Sequence, residues 1–176
     1  MPLRRRKSYD QDSLYEYAIG ALARRMRSVA ELKRLLRQRL PTDDKSEVLV
    51  EAVINRLKDQ KYLNDTAYAA AYSSYRQENE RFGRLRVISD LKARGVHTEI
   101  INKAVNAAYA RSDEENLARE FLARKRLKKP ATAKEAAKVF RALQRAGFNS
   151  RTGVRILQRW RVDDELITAL ESEAQE

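Results

Sequence analysis

The sequence predicts an all-α protein, and three observations predict it. Alanine, leucine, arginine, lysine and glutamate are abundant, and the 176 residues hold only five glycines and three prolines, so intrinsic propensity favours helix along most of the chain. Four S/T-x-x-E signatures stand at 13–16, 28–31, 112–115 and 132–135. In each, a hydroxyl and a glutamate can reciprocally satisfy free amides at a helix start. No segment alternates apolar and polar residues as a half-buried strand would.

Nine or ten helices are expected, in this order. The first, 11–27, opens around Ser13-Leu14-Tyr15-Glu16, and the second, 29–40, follows Ser28 and stops at Pro41. The third, 43–60, begins at Asp43-Asp44, whose carboxylates suit the positive end of a helix dipole. Asn64-Asp65 caps the fourth, 65–79. The fifth, 83–94, ends at Gly95, where a left-handed residue is easiest for glycine. His97, a cap or surface residue, precedes the sixth, 98–110. Ser112 opens the seventh, 113–127, and Pro130 follows its end. Thr132 opens the eighth, 132–146, which ends at Gly147. The ninth covers 150–160, and the tenth, 163–173, begins at Asp163-Asp164.

Within these helices lies a repeat. Leu36, Leu91 and Leu143 are 55 and 52 residues apart, and each has Leu or Val four residues earlier (Leu32, Val87, Val139). Gly95-Val96 and Gly147-Phe148 follow the second and third leucines at matching positions, and a further apolar helix follows each. The division expected is a basic tail at 1–10, three-helix repeats at 11–63, 64–111 and 112–161, and an acidic helix or tail at 162–176. A unit this small buries too little surface alone, so an elongated, curved array of three stacked repeats is expected.

Composition narrows the function. With 37 Lys and Arg against 25 Asp and Glu, the formal charge is +12, which favours a polyanionic partner. No cysteine and a single histidine remove thiolate chemistry, cysteine zinc sites and histidine-pair mechanisms. No stretch of 18 apolar residues occurs, so no membrane partner is expected. The basic run Arg4-Arg5-Arg6-Lys7 is followed by acids rather than an apolar segment, which predicts a cytoplasmic chain without a secretory signal. There is no phosphate-binding G-x-x-x-x-G-K-[ST] loop. No catalytic, cofactor-binding or metal-ligating residue is predicted, and no cofactor.

The stretch 61–76, KYLNDTAYAAAYSSYR, carries four of the eight tyrosines, with Tyr68, Tyr72 and Tyr75 on one helical stripe. Such a stripe could stack bases, but the interleaved small residues favour packing. The stretch reads as a joint in which Tyr62 and Leu63 close one core and at least one tyrosine hydroxyl reaches the surface. This segment, Tyr62-Leu63-Asn64-Asp65 followed by Tyr68-Ala69, resembles the junction motif of the RecX family, bacterial regulators of the RecA recombinase. SVAELKRLL (28–36), GRLRVISDLKARGVHTEIINKAV (83–105) and VFRALQRAGFNSRTGVRIL (139–157) resemble that family's three repeats. Leu40-Pro41 departs from the family's usual Lys-Gly-apolar ending. The resemblance implies an all-α, non-enzymatic protein that lies in the groove of the RecA–single-stranded-DNA filament. It implies further that the protein suppresses ATP hydrolysis and filament growth and has affinity for DNA. The partners expected are the RecA filament and single- and double-stranded DNA, and a monomer is expected.

Charge counting is consistent with a distributed contact. Residues 112–161 hold 14 basic and 5 acidic residues, whereas 162–176 hold six acids and no base. Candidate contacts in the first repeat are Arg24, Arg25, Lys33, Arg34 and Arg37. In the second they are Arg84, Arg86, Lys92 and Arg94, and in the third Arg124, Lys125, Lys138, Arg141 and Arg145. The plain alternative for any one of them is a solvated helix face. RKRLKK at 124–129 is the densest cluster. A second function class stays open: residues 142–160 fit a helix-turn-helix, with Ser150, Arg151, Arg155 and Arg159 available for a major groove.

Overall fold

The computed structural model describes residues 9–173. Among them are ten helices and no strand, so the chain is all-α. The helices are α1 (Gln11–Arg24), α2 (Val29–Arg37), α3 (Asp44–Asp59), α4 (Asp65–Glu78) and α5 (Arg84–Ala93), then α6 (Thr98–Tyr109), α7 (Glu114–Arg124), α8 (Ala133–Arg145), α9 (Ser150–Arg159) and α10 (Asp164–Glu173). The basic run at 4–7 lies outside the described residues.

The caps explain most boundaries. Ser28 and Glu31 form the predicted reciprocal box. The first box is displaced: Asp10, not Ser13, is the cap of α1, with its carboxylate accepting the Ser13 amide at 2.8 Å and the Ser13 hydroxyl accepting the Asp10 amide at 3.0 Å. A carboxylate favours the positive helix end more than a hydroxyl does. Asp113 rather than Ser112 caps α7, its carboxylate accepting the Glu115 and Asn116 amides at 2.9 and 3.4 Å, while the Ser112 hydroxyl accepts a bond from Gln77. Thr132 caps α8, while the Glu135 carboxylate accepts from Ala131 rather than from Thr132 itself. The acid pairs are caps as expected, Asp43 accepting from Ser46 and Asp163 from Glu165 and Leu166.

Three helices stop short of their expected ends. α1 ends at Arg24, since Arg25 is already extended on the way to the Ser28 cap. α2 ends at Arg37, and Arg39 and Leu40 donate three residues back, to Leu36 and Arg37. That tightening precedes Pro41, which has no amide to extend the helix. α7 ends at Arg124 because Arg126 turns left-handed at φ 56° and the Leu127 amide folds back onto the Leu122 carbonyl. Lys61, Arg81 and Arg161 adopt the same conformation after α3, α4 and α9.

The described residues form two compact units, residues 9–68 with 92–100, and residues 69–91 with 101–173. In the first, Leu14 and Ala18 of α1, Leu32 and Leu36 of α2, and Ile54 and Leu57 of α3 form a core from which solvent is excluded. These positions recur every three or four residues, which puts each set on one helix face. In the second, Phe121 packs against Phe82 and Phe148 at centroid separations of 6.1 and 5.9 Å. Phe140, Leu143, Ile156 and Leu157 are buried in the same unit.

Each unit contains a joint between the end of one helix and the start of another. In the second unit the Gly83 and Leu85 amides, at the start of α5, donate to the Ala146 and Gly147 carbonyls at 2.8 and 3.1 Å, beyond the end of α8. In the first unit the Ser28 hydroxyl, at the start of α2, donates to the Arg94 carbonyl at 2.6 Å, beyond the end of α5. Each joint satisfies groups that helix termini otherwise leave open and sets a positive dipole end against a negative one. Gly147 and Gly95 hold the positive φ values, 87° and 75°, that turn the chain there.

Candidate functional site

The second unit's joint fixes a cavity of about 420 Å³. Held beside Gly147, the first turn of α5 brings Arg86 to the end of α8, where its guanidinium donates to the Arg145 carbonyl at 3.5 Å. Lys138, Ala142 and Arg145 lie at i, i+4 and i+7 on α8 and line the opening as one stripe. The apolar wall comes from Phe82, Phe121, Leu127 and Ala146. Lys125, just past α7, completes the rim, its ammonium 5.9 Å from the Phe121 ring centre.

No lining residue of this cavity is acidic. Arg86 pairs with Asp90 at 3.1 Å. Lys125, Lys138 and Arg145 have no ion-pair partner among the described residues. A second cavity of about 340 Å³ adjoins through Leu127 and Lys138 and adds Arg126, Lys128 and Lys129. Its one acid, Glu135, accepts the Ala131 amide at 2.8 Å.

The fourteen predicted contacts separate by partner. Lys33 is paired with Glu51, Arg37 with Glu47 through two bonds of 2.8 and 2.9 Å, and Arg141 with Glu173 at 3.1 Å. Arg25 and Arg94 both approach Glu31, at 3.8 and 3.7 Å. Glu31 also accepts the Ser28 amide and the Tyr68 hydroxyl, so it organises the start of α2. Arg84 and Arg124 are exposed and bond to the Asn106 side chain and the Asn79 carbonyl. Arg24, Arg34 and Lys92 are exposed without an acidic partner among the described residues.

The tyrosine stripe does not present one face. Tyr68 is buried, Tyr75 is exposed, and half-buried Tyr72 donates to Asp90 and accepts from Arg76, both at 2.9 Å. Burial pushes the Tyr72 phenol above its ordinary value, and Asp90 adds to the rise. Leu63 closes the first core as expected, but Tyr62 is 61% exposed, since the left-handed Lys61 turns it outward. In the helix-turn-helix candidate, Arg151 and Arg155 are exposed while Arg159 is held by Glu115 at 2.7 Å. His97 is exposed.

Sequence patterns did not single out Arg27. It lines a third cavity, in the first unit, with Arg25, Arg34 and Glu31, and its buried Nε has no hydrogen-bond partner among the described residues. Nor did they place Phe82 and Phe121 at a site, because an apolar residue at helical spacing reads as core. Among the described residues no acid or histidine cluster fits a metal ion, and no helix is long and apolar enough to cross a membrane.

A family model described as "RecX, second three-helix domain" matches residues 64–105. A regulatory protein RecX from Leptothrix cholodnii is 35% identical over 140 residues, which cover 80% of this chain and 84% of that protein. A regulatory protein RecX from Bacillus subtilis is 30% identical over 137 residues, 77% of this chain, and the chain spans about half (50%) of that relative's length. A crystal structure of regulatory protein RecX shares the fold with a TM-score of 0.68 at 21% identity, covering 85% of this chain and 71% of that one.

Proposed function

This chain belongs to the RecX family, and we propose that it regulates the RecA recombinase by binding the RecA–single-stranded-DNA filament, lowering its ATP turnover and limiting its growth. The observation that carries this reading is the 35% identity to a regulatory protein RecX over most of both chains. The acid-free rim of Arg86, Lys125, Lys138 and Arg145 supports it, since a protein–DNA filament is a polyanionic partner. On this reading the protein acts by binding rather than by chemistry of its own. It acts as a monomer, in the cytoplasm, in recombinational repair and the SOS response, through tandem three-helix repeats at 11–63, 64–111 and 112–161.

The test is RecA ATPase on single-stranded DNA across a wide range of this protein's concentration. A dose-dependent fall is expected. Unchanged turnover together with absent filament binding would overturn the proposal. The exposed Arg151 and Arg155 on α9 favour one second reading, direct duplex binding by a helix-turn-helix. It requires a preferred duplex sequence, which a filament regulator does not.

A further inference from the structure

The cavity of the second unit combines two features that bare DNA would not use together. Its walls are mainly apolar, formed by Phe82, Phe121, Leu127, Ala142 and Ala146. Its rim carries four cations and no acid. A phosphate track needs the cations but gains nothing from an apolar floor. Base stacking would use an open ring face, and neither ring offers one. Phe121 is only 4% exposed, and the Arg76 and Arg86 guanidiniums lie within 5.3 and 5.9 Å of the Phe82 ring centre.

A peptide uses both features. An apolar side chain fills a concave apolar pocket, and flanking carboxylates meet lysine and arginine at its edge, the division into buried anchor and polar rim that peptide grooves share. Three of the rim cations, Lys125, Lys138 and Arg145, have no internal carboxylate among the described residues to compete with a ligand. The volume of about 420 Å³ lies in the range of small-ligand pockets.

We propose that this cavity receives one apolar side chain of an acidic peptide segment on the protein partner, with the flanking carboxylates paired to Lys125, Lys138 and Arg145. The proposal rests on the reading that the chain acts on a protein–DNA filament, and it assigns this cavity to the protein part of that contact.

The test uses a fluorescein-labelled short peptide of aspartate and glutamate around one central phenylalanine, followed by anisotropy with the full chain. The peptide should bind. Exchange of its phenylalanine for serine should weaken binding about tenfold or more, and an excess of oligothymidylate should not displace it. Lys125→Glu combined with Lys138→Glu should weaken it at least tenfold, with helical circular dichroism unchanged. Ala142→Leu, which narrows the cavity without altering charge, should weaken the phenylalanine peptide and leave the serine peptide as it was. Absent binding, indifference to the phenylalanine, or full displacement by oligothymidylate would each overturn the inference. Inhibition of RecA by a protein that fails to bind the peptide would overturn this proposal and leave the filament reading standing. Peptide binding without any effect on RecA would do the reverse.

Discussion

The Gly83 amide donates to the Ala146 carbonyl at 2.8 Å, and the two chain segments meet there backbone to backbone. A Cβ on Gly83 would stand 2.2 Å from the Gly147 carbonyl oxygen, and one on Gly147 would stand 2.1 Å from the Arg86 nitrogen. Neither contact is with a side chain that could swing aside. Gly83→Ala and Gly147→Ala are therefore expected to destabilise the protein by about 2–4 kcal/mol each, read as a lower urea midpoint. A midpoint unchanged in both variants would remove the joint's structural role.

At Lys61 the backbone is left-handed at φ 61°, a region glycine enters without steric cost. The residue is exposed and holds no ion pair among the described residues. Lys61→Gly should raise stability by about 0.5–1 kcal/mol, the cost of holding a side chain in that conformation less the greater chain entropy of glycine. Urea unfolding of the two proteins measures it.

Two arginines that look alike in sequence should behave differently. Arg94→Glu sets a carboxylate against Glu31, which is only 12% exposed and organises the start of α2. A loss of about 1–3 kcal/mol is expected. Arg84→Glu gives up one bond to the Asn106 side chain at the surface and should cost less than about 1 kcal/mol. Thermal melts followed by circular dichroism separate the two.

Charge reversal at the cavity should act on function rather than on folding. Lys138→Glu with Arg145→Glu is expected to raise the concentration needed for half-inhibition of RecA ATPase about tenfold or more. Both residues are exposed on α8 and unpaired among the described residues, so the melting temperature should stay close to that of the parent protein.

Acid should weaken the first unit. The Arg37 guanidinium bonded to Glu47 holds that carboxyl below its ordinary value of 4.5, and bonds from Ser13 and Ser46 hold Asp10 and Asp43 below 3.8. Groups whose pKa is lowered on folding stabilise fully above the unfolded value and cease to do so as pH falls through the folded one. Stability should therefore be level above about pH 5 and fall below about pH 4.5. Glu47→Gln should remove part of that fall in melts taken from pH 7 to pH 3.

How much the sequence disclosed depends on which atoms make each feature. Helices capped by their own side chains, such as α2 behind Ser28 and α3 behind Asp43, were legible to within a few residues. The Gly83–Ala146 joint was not, because contact between two backbones leaves no side-chain pattern; Gly147 read only as a helix end. The four cavity cations were all among the candidates, Arg86, Lys138 and Arg145 because they stand off the apolar stripes and Lys125 because it lies in the basic run 124–129. Which cations were already neutralised could not be read, since Glu47, Glu51 and Glu173 reach Arg37, Lys33 and Arg141 from other helices.

At Lys61, Arg81, Arg126 and Arg161 a cation occupies a site that glycine would fill with less strain. A thermostabilisation campaign guided by backbone conformation would select these four positions early and replace each with glycine. The product would melt higher and carry four fewer positive charges, one of them, Arg126, on the lining of the cavity that adjoins the site. Stability screens on this scaffold should therefore be run beside a binding readout, because heat resistance and affinity for an anionic partner would be traded against each other at the same residues.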